Sequence, residues 1–461
     1  MLAQQTIERV LQAALEQGGE FAEIFVEDRH NTTLGLVGGT LEDNLMGLDY
    51  GVGIRVIDGL KYAYAFTNDT REERLIEVAR EAALTLKKSD SSKVLDLRRP
   101  SLDEVNPIKV YPRDIHLRDK VALLREAYES AKDYDASIIQ ATVSYTDWDQ
   151  KVLIANSKGL LVEDRRVRTR FTVRSVASNG VDLQTGTYSP GASLGFEYFD
   201  HYDINAIARE ASRMAKVMAF AGYAPSGVMP VVMDNGFGGV LFHEACGHGL
   251  EASFVSKGIS VYTGKEGERI ASELVTAIDD GTVPNGWGSL TVDDEGTPTT
   301  RNVLIEKGVL KNYMVDHLTG KRLGKPSTGA CRRESYKFAP TSRMTNTFID
   351  KGETPFDEII KQTERGLYAK SLGGGSVDVV SGEFNFAVME GYLIENGEIT
   401  KPVRGASLIG KGLEVLQNID MVSSDLTLSE GMCGAASGSI PAGLGQPPLR
   451  VKALKVGGRD E

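Results

Sequence analysis

The sequence has few cysteines and no long apolar run, and each absence excludes a class of protein. The 461 residues include three cysteines, Cys246, Cys331 and Cys433, which are odd in number and widely separated. Such a set does not form the disulfide framework of a secreted domain, so a reducing cytoplasm is the expected location. No apolar run is long enough to span a bilayer. The first twenty residues form an amphipathic pattern with acidic side chains, unlike a signal peptide, so no membrane partner is expected.

A basic stripe is also missing. The formal net charge is −12, and the short arginine pairs at 98–99 and 165–166 are interspersed with acidic residues. Ordinary solvated faces explain such pairs. A nucleic-acid surface needs clustered lysine and arginine to displace counterions, so we expect no nucleic-acid partner.

Hydrophobic periodicity predicts an α+β protein. The Asp58-Gly59 pair predicts a tight hairpin, and Thr70 with Glu73 predicts a capping box at a helix start. Strands are predicted between the helices, and the four longest predicted helices are Ile7–Leu15, Thr70–Leu86, Leu117–Lys132 and Tyr202–Phe220.

The small, Pro- and Gly-bearing stretch at 221–227 is the best domain boundary. Residues 1–222 are predicted to form an N-terminal α/β domain of helices packed on an antiparallel sheet. Residues 223–461 are predicted to form a C-terminal domain rich in β-strands. The Gly-rich, charged segment Ile259–Trp287 predicts a mobile loop with little core.

The main chemical signal lies in the stretch FGGVLFHEACGHGLEASF, residues 237–254. It places His243, Glu244 and His248 within six residues. A glutamate directly after one histidine, with a second histidine about a turn later, is typical of zinc hydrolases. In these enzymes imidazoles bind the metal and the carboxylate takes the proton of the metal-bound water. The stretch therefore predicts a zinc site on a helix of the C-terminal domain.

The spacing of these histidines departs from the common motif. Histidines four apart are separated by about 40° on a helix surface, whereas histidines five apart are separated by roughly 140°. Two side chains so splayed cannot bind one ion on a regular helix. Either the helix carries an extra residue as a π-bulge, or it breaks near Gly247 and His248 swings back. Gly247 and Gly249 flank His248 and suit both alternatives.

A catalytic zinc normally has three protein ligands, and the third is less obvious. Cys246 lies within the motif, although a small buried hydrophobe is its simpler role. Cys331 stands beside two arginines that could lower its pKa. Cys433 stands in a Gly-rich segment whose backbone can approach a ligand or another chain closely. His317 is more simply interpreted as a satisfied polar histidine. Carboxylates are further candidates, and the residues alone leave these alternatives open.

Several separate motifs, in the right order, give the chain a resemblance to one family. Besides the motif at 243–248, they include the Glu23-containing strand and the stretch GVGIRV at 51–56. Further matching stretches are RMTN at 343–346, GGGSV at 373–377, SGEF at 381–384, PVRGA at 402–406 and MCG at 432–434. Over essentially its whole length the chain resembles the TldD/PmbA (TldE) family, named modulators of DNA gyrase and interpreted as metalloproteases. Within that family it is similar to the TldD branch, which retains the HExxxH motif.

The resemblance implies a set of roles. His243, His248 and Cys433 would bind zinc, and Glu244 would be the general base. The family combines an N-terminal α/β domain with a C-terminal domain rich in strands. Its members work with a metal-free TldE/PmbA-like paralogue as a heterodimer, or as a homodimer, around an inner cavity. Unfolded peptides bind there in extended form with little sequence preference.

The resulting hypothesis is a zinc-dependent metalloprotease that hydrolyses unfolded or extended peptides, with the zinc-bound water activated by Glu244. Peptides would bind by adding a strand to a sheet edge, and the glycines at 431–445 and 373–375 would permit close approach of the peptide backbone. Two alternatives come from other classes. One is a non-catalytic protein-binding modulator, and the other is a zinc amidase acting on small amides.

Overall fold

The structure is a computed structural model that describes residues 1–86, 93–378 and 380–459. The N-terminal half contains one large sheet in the order β3-β2-β1-β4-β5-β6, with β7 paired to β5 and all neighbours antiparallel. Its strands are Phe21–Val37 (β1), Thr40–Asp58 (β2), Lys61–Thr67 (β3), Ile138–Asn156 (β4), Leu161–Ser178 (β5), Leu183–Tyr188 (β6) and Gly191–Ala192 (β7). Its helices are Gln4–Leu15 (α1), Glu72–Leu84 (α2), Leu117–Lys132 (α3), Tyr198–His201 (α4) and Ile204–Ala219 (α5).

The two faces of this sheet are buried against different partners because side chains alternate along each strand. Even-numbered residues of β1 lie under the helices: Ile24 packs in the cluster of α1 and α2, and Leu34 packs in the cluster of α3 and α5. The odd-numbered Phe25 packs on the other face, with Val292 and Tyr336 of the C-terminal half. The N-terminal prediction of helices packed on an antiparallel sheet is confirmed.

The C-terminal half is rich in strands, as predicted. A six-stranded sheet has the order β12-β11-β10-β15-β22-β21, and an eight-stranded sheet contains the path β16-β9-β23-β19-β17-β18-β8, with β20 paired to β23. The strands before residue 350 are Gly222–Tyr223 (β8), Gly227–Met233 (β9), Ala277–Asp280 (β10), Arg301–Glu306 (β11), Val309–Leu310 (β12), Cys331–Arg332 (β13), Thr341–Ser342 (β14) and Asn346–Ile349 (β15). The later strands are Arg365–Val377 (β16), Glu383–Glu395 (β17), Glu398–Arg404 (β18), Ser407–Lys411 (β19), Ile419–Val422 (β20), Thr427–Ala435 (β21), Gly438–Gln446 (β22) and Leu449–Gly457 (β23).

Short helices connect these strands. They are Val240–Phe242 (α6), Ala252–Val255 (α7), His317–Leu323 (α8), Phe356–Lys361 (α9) and Gly412–Gln417 (α10). Among the described residues, the largest apolar cluster draws on strands of both C-terminal sheets and includes Phe242, Cys246 and Cys433. The metal motif is therefore held within this apolar cluster. Strand β8 spans the proposed boundary and pairs with β18, so the division into 1–222 and 223–461 stays a prediction.

Two local predictions are wrong. Helix α2 begins at Glu72 with Arg71 as its N-cap, and no side chain caps it. The Asp69 carboxylate accepts the backbone N–H of Arg71 and forms a turn just before the helix, so Thr70 is not the N-cap. The segment Ile259–Trp287 is not a loop with little core, because Tyr262, Ile270, Val275 and Trp287 are buried and the segment contains β10. Among the described residues, no helix has the length and apolarity that a bilayer crossing requires.

Candidate metal centre

The motif is helical, and the type of helix changes from α to π at His243. A 3₁₀ turn at Gly236–Gly239 leads into α6, a π-helical segment covers His243–Gly247, and a 3₁₀ turn covers His248–Leu250. The backbone N–H of His248 donates to the carbonyl of His243, which is an i+5 bond. Of the two alternatives for the spacing, the structure has the π-bulge. Residues five apart lie one above the other in such a segment, so the two imidazoles face the same side.

Tight packing holds this segment in place. Tyr262 Oη donates to the carbonyl oxygen of Ala245 at 3.0 Å, inside the π-helical segment. A Cβ on Gly249 would lie 2.5 Å from Cδ2 of Tyr262, and a Cβ on Gly247 would lie 2.4 Å from Sδ of Met344. Both glycines are therefore required by close packing, and the Tyr262 ring reaches Ala245 because Gly249 leaves room for it.

Cys433 reaches the two histidines from near the end of the chain. It lies in β21, opposite Ile440 of β22. Its Sγ is 3.3 Å from Nε2 of His243 and 3.3 Å from Nε2 of His248. The three ligand atoms lie within 4.8 Å of one another. Two ligands held 2.0–2.3 Å from one ion at tetrahedral angles are roughly 3.5 Å apart. The set therefore fits one tetrahedral metal ion with an open fourth position.

The charge state of the thiols separates Cys433 from the other two cysteines. Burial alone would raise the pKa of the Cys433 thiol, but the imidazoles of His243 and His248 outweigh it and lower the pKa to about 3. Burial raises the pKa of Cys246 to about 12 and raises that of Cys331 well above its ordinary value. Since the thiolate is the metal ligand, Cys433 is the cysteine prepared to bind a cation.

Glu244 lies beside the ligand atoms without joining them. Its Oε2 is 3.9 Å from Nε2 of His248, and 17% of its side chain is exposed. Burial raises its pKa, and the neighbouring imidazoles of His243 and His248 oppose that shift. A carboxylate at this distance can exchange a proton with a molecule bound between it and the imidazoles.

Glu251 and Arg343 complete the centre, and the sequence analysis missed both roles. Oε1 of Glu251 is 3.2 Å from Nδ1 of His248 and 3.7 Å from Nε of Arg343. The donors do not point straight at this oxygen, so both contacts are ion pairs rather than aligned hydrogen bonds. Burial would lower the pKa of His248, but Glu251 and Cys433 outweigh it and raise the pKa well above its ordinary value.

Arg343 also fastens the strand that carries the cysteine. Its Nη2 donates to the carbonyl of Cys433 at 2.6 Å, and its Nη1 donates to Ser437 Oγ at 2.9 Å. One guanidinium therefore connects the ligand strand to Glu251 and through it to His248. In the sequence, Glu251 is visible only as a glutamate three residues after His248, and Arg343 only as part of the RMTN stretch. Neither feature by itself predicts the contact between them.

The remaining candidates for the third ligand lie elsewhere. Cys246 belongs to the π-helical segment, and its side chain is buried in the apolar cluster. Cys331 donates its backbone N–H to Asp293. The His317 ring stacks on Phe21 at a centroid distance of 4.5 Å. Among the described residues, His243, His248 and Cys433 are the one group of three such side chains close enough to share an ion.

The glycines near Cys433 mostly bring the chain close to itself. A Cβ on Gly239 would lie 2.4 Å from the backbone of Gly445, and a Cβ on Gly443 would lie 2.2 Å from Oδ1 of Asn346. In the other glycine run, a Cβ on Gly375 would lie 2.0 Å from Cδ1 of Phe386. These positions serve internal packing, so they carry less support for a peptide site than the sequence suggested.

The chain is similar over nearly its whole length to proteins of one metallopeptidase family. Models of the PmbA/TldA metallopeptidases match in three parts: domain 1 at residues 22–85, the central domain at 110–219 and the C-terminal domain at 226–458. A metalloprotease TldD homolog of Haemophilus influenzae is 37% identical over 99% of this chain and 97% of its own length. A zinc metalloprotease TldD homolog of Saccharolobus solfataricus is 28% identical over 89% of this chain and 91% of its own length.

Solved structures share the fold at lower identity. A protein of Thermotoga maritima named as a modulator of a DNA gyrase superposes with a TM-score of 0.82 at 24% identity, over 98% of this chain and 99% of that one. TldE of Thermococcus kodakarensis superposes with a TM-score of 0.77 at 22% identity, over the same shares of the two chains.

Proposed function

The chain belongs to the PmbA/TldD metallopeptidase family, and from that premise we propose that it is a zinc-dependent protease that hydrolyses unfolded or extended peptides. One observation carries the proposal. Two imidazole nitrogens and one thiolate sulfur converge within 4.8 Å, with the carboxylate of Glu244 beside them. That combination provides a cation site with an open position and an adjacent proton acceptor.

His243, His248 and Cys433 would hold the ion. Two imidazoles with one thiolate suit zinc, since softer sulfur ligands favour it over magnesium or calcium. When bound, zinc supplies Lewis-acid chemistry that polarises a carbonyl and lowers the pKa of water. The Saccharolobus solfataricus relative is named a zinc metalloprotease, which supports this choice of metal.

Glu244 would move the proton. Its carboxylate accepts a proton from the attacking water and later delivers it to the leaving amine of the cleaved peptide bond. Burial raises the pKa of Glu244, which brings it closer to the working pH and strengthens it as a base. Glu251 fixes the orientation of the His248 ring, and Arg343 fixes the carbonyl of Cys433, so neither needs to touch the peptide.

We propose that the substrate binds in extended form through its main chain, because hydrogen bonds to backbone are the same for any sequence. A TldE-like paralogue, or a second copy of this chain, is proposed as the partner, and the TldE fold of Thermococcus kodakarensis supports the first. The three buried free cysteines support a reducing compartment such as the cytoplasm.

The test is the Glu244→Gln variant, with Glu273→Gln on the surface as the matched control. Glu244→Gln should bind one zinc per chain as the parent does, because Glu244 is not a ligand. Its hydrolysis of an unfolded protein should fall about 10²- to 10⁴-fold, the usual contribution of a general base. Metal content is measured by mass spectrometry, and cleavage is measured with and without the partner.

Three outcomes decide against the proposal. Full hydrolysis by the zinc-loaded Glu244→Gln variant would remove the proton-transfer role. A parent protein without stoichiometric zinc and without hydrolysis would favour a non-catalytic binding modulator. Turnover of small amides, but not of unfolded proteins, would favour a zinc amidase.

A further inference from the structure

A cavity of about 80 Å³ lies where the N-terminal sheet meets the C-terminal half. We call it the seam pocket. Strands β4 and β5 form one wall, and β13 and the hairpin of β21 and β22 form the other. Its floor and rim carry five arginines and a tryptophan: Arg29, Trp148, Arg166, Arg168, Arg332 and Arg333. Met432, which is 50% exposed, and the half-buried Arg29 also line the pocket and form its solvent-side edge, which we call the mouth.

Two of these arginines are buried without a carboxylate. Arg168 is 2% exposed, and it donates only to backbone carbonyls, from Nε to Trp287 at 2.8 Å and from Nη2 to Ser289 at 3.3 Å. Arg332 is 3% exposed and donates from Nη1 to the carbonyl of Met344 at 2.8 Å. Among the described residues, no carboxylate oxygen lies within 4 Å of either guanidinium. These three bonds are the ones that the two guanidiniums donate within the described part of the chain.

The nearby carboxylates are already engaged by other groups. Oδ1 of Asp294 accepts from Arg166 at 2.5 Å, and its Oδ2 accepts the backbone N–H of Arg333 at 2.6 Å. Oε2 of Glu334 accepts the backbone N–H of Ser439 at 2.7 Å. Arg166 and Arg333 have further carboxylate partners, Asp164 at 3.0 Å and Glu23 at 2.6 Å. The buried guanidiniums of the seam pocket that are left without a carboxylate are therefore those of Arg168 and Arg332.

Burial and mutual repulsion make this pair unfavourable by itself. Burial, together with Arg332 and Arg166, lowers the pKa of Arg168 well below its ordinary value. Burial likewise lowers the pKa of Arg332 to about 10, against the attraction of Asp294. A buried charge without a partner is strongly destabilising, whereas an anion between two guanidiniums would offset both charges.

We propose that the seam pocket binds a small oxyanion, a carboxylate or a phosphate, between Arg168 and Arg332. Arg332 has the Nε and Nη2 edge of its guanidinium free, a planar fork that matches the geometry of both groups, and Arg168 offers Nη1. Charge-assisted hydrogen bonds to oxyanions are the strong kind. The volume of about 80 Å³ is several times the ~10–15 Å³ that one water needs. The half-buried Arg29, stacked 5.3 Å from the Trp148 ring, provides a third guanidinium at the mouth.

The site is distinct from the metal centre. Met432 and Cys433 are neighbours on β21, and successive side chains of a strand point to opposite faces. Met432 faces the seam pocket and Cys433 faces the histidines. The inference therefore does not rest on the proposed hydrolysis, and it fails or holds independently.

The experiment measures the melting temperature of the whole, metal-loaded protein in a chloride- and phosphate-free buffer, with inorganic phosphate as the probe. A ligand that binds only the folded state raises the melting temperature by mass action. Phosphate should stabilise the parent, and Arg168→Gln or Arg332→Gln should weaken its binding about 10-fold or more. Arg174→Gln, an exposed arginine on the same strand as Arg168, should respond as the parent does.

Two further variants keep the test decisive. Arg29→Gln alters the mouth rather than the buried pair, so it should fold even if the others do not, and its binding of phosphate should also weaken. His248→Ala lacks an imidazole of the metal centre and should keep the full response, which separates this pocket from an anion bound at zinc.

In the Glu244→Gln background, an acetylated tripeptide with a free carboxylate is compared with its amide. Stabilisation by the acid alone identifies a peptide carboxylate, and stabilisation by phosphate alone identifies an inorganic oxyanion.

The proposal is overturned if phosphate does not stabilise the parent and the carboxylate peptide does not stabilise the Glu244→Gln variant. It is also overturned if every arginine variant responds as strongly as the parent, because the anion would then bind elsewhere.

Discussion

Replacing Glu251 by glutamine should weaken zinc binding while leaving most of the peptide hydrolysis at saturating zinc. Glu251 is 1% exposed, and its carboxylate lies 3.2 Å from Nδ1 of His248 and 3.7 Å from Nε of Arg343. Both contacts depend on the negative charge. Glutamine keeps the volume of the side chain and removes that charge. The His248 ring then loses its electrostatic anchor, and Arg343 is left as a buried cation without a carboxylate partner.

The size of the effect follows from these contacts. Loss of an outer-shell partner typically lowers metal affinity 10- to 100-fold. At about 1.4 kcal/mol per tenfold change, this corresponds to roughly 1.4–2.8 kcal/mol of zinc binding. The unpaired Arg343 should also lower the free energy of unfolding, by about 1–3 kcal/mol for a buried charged group. Hydrolysis at saturating zinc should fall much less than in Glu244→Gln, because Glu251 does not contact the peptide.

The assay is a zinc titration against a fluorescent chelator, followed by peptide cleavage at saturating zinc. Glu273→Gln on the surface is the control for loss of one negative charge. Circular dichroism of each zinc-loaded variant confirms that the fold is intact. Unchanged zinc affinity in Glu251→Gln would refute the reasoning, and so would a loss of cleavage at saturating zinc as large as that of Glu244→Gln.

Two other predictions concern the Cys433 thiolate and the packing of the π-helical segment. After zinc removal at pH 6, iodoacetamide should label Cys433 and neither of the other two cysteines, because the lowered pKa of Cys433 makes it a thiolate at that pH. The His248→Ala substitution should slow the labelling of Cys433. Equal labelling of all three thiols would contradict this prediction. Gly249→Ala should force the Tyr262 ring from Ala245, lower the free energy of unfolding by about 1–3 kcal/mol and weaken zinc binding. Gly374→Ala, whose Cβ would meet nothing within 4 Å, is the control, and an equal effect of both on zinc affinity would remove the role of Tyr262.

Much of the fold is local and could be predicted from the sequence. The Asp58-Gly59 hairpin forms as expected, with Gly59 at a φ of 62° and Asp58 paired to Lys61. The helix spacing from Ile7 to Leu15 places those apolar residues in the core. The five-residue interval between His243 and His248 required a bulge or a break, and the bulge is what forms. In each case the deciding interactions lie within a few residues of one another.

Contacts between distant residues could not be predicted in this way. Cys433 was assigned through a family resemblance, because 185 residues separate it from His248 and no spacing rule connects them. The link from Arg343 to Cys433 and Glu251 depends on how β21 crosses the motif. The buried pair of Arg168 and Arg332 arises only when the two halves meet, and the sequence shows ordinary short basic runs there.

The same reasoning explains why the segment from Ile259 to Trp287 was misjudged. Its glycines and charges are typical of a loop, but Tyr262 packs on Gly249 and Trp287 Nε1 donates to the carbonyl of Gly431. The segment is ordered by tertiary contacts rather than by its own periodicity. A periodicity pattern within the segment cannot report packing against residues outside it, such as Gly431, which lies 144 positions from Trp287.

The central claim is that His243, His248 and Cys433 bind one zinc ion together. X-ray absorption spectroscopy at the zinc edge, on protein with its metal content measured, tests this most directly. The account predicts one zinc per chain, with nitrogen ligands at about 2.0–2.1 Å, one sulfur at about 2.3 Å, and loss of the sulfur contribution in Cys433→Ser. A zinc environment without sulfur in the parent, or the same sulfur contribution in Cys433→Ser, would contradict it.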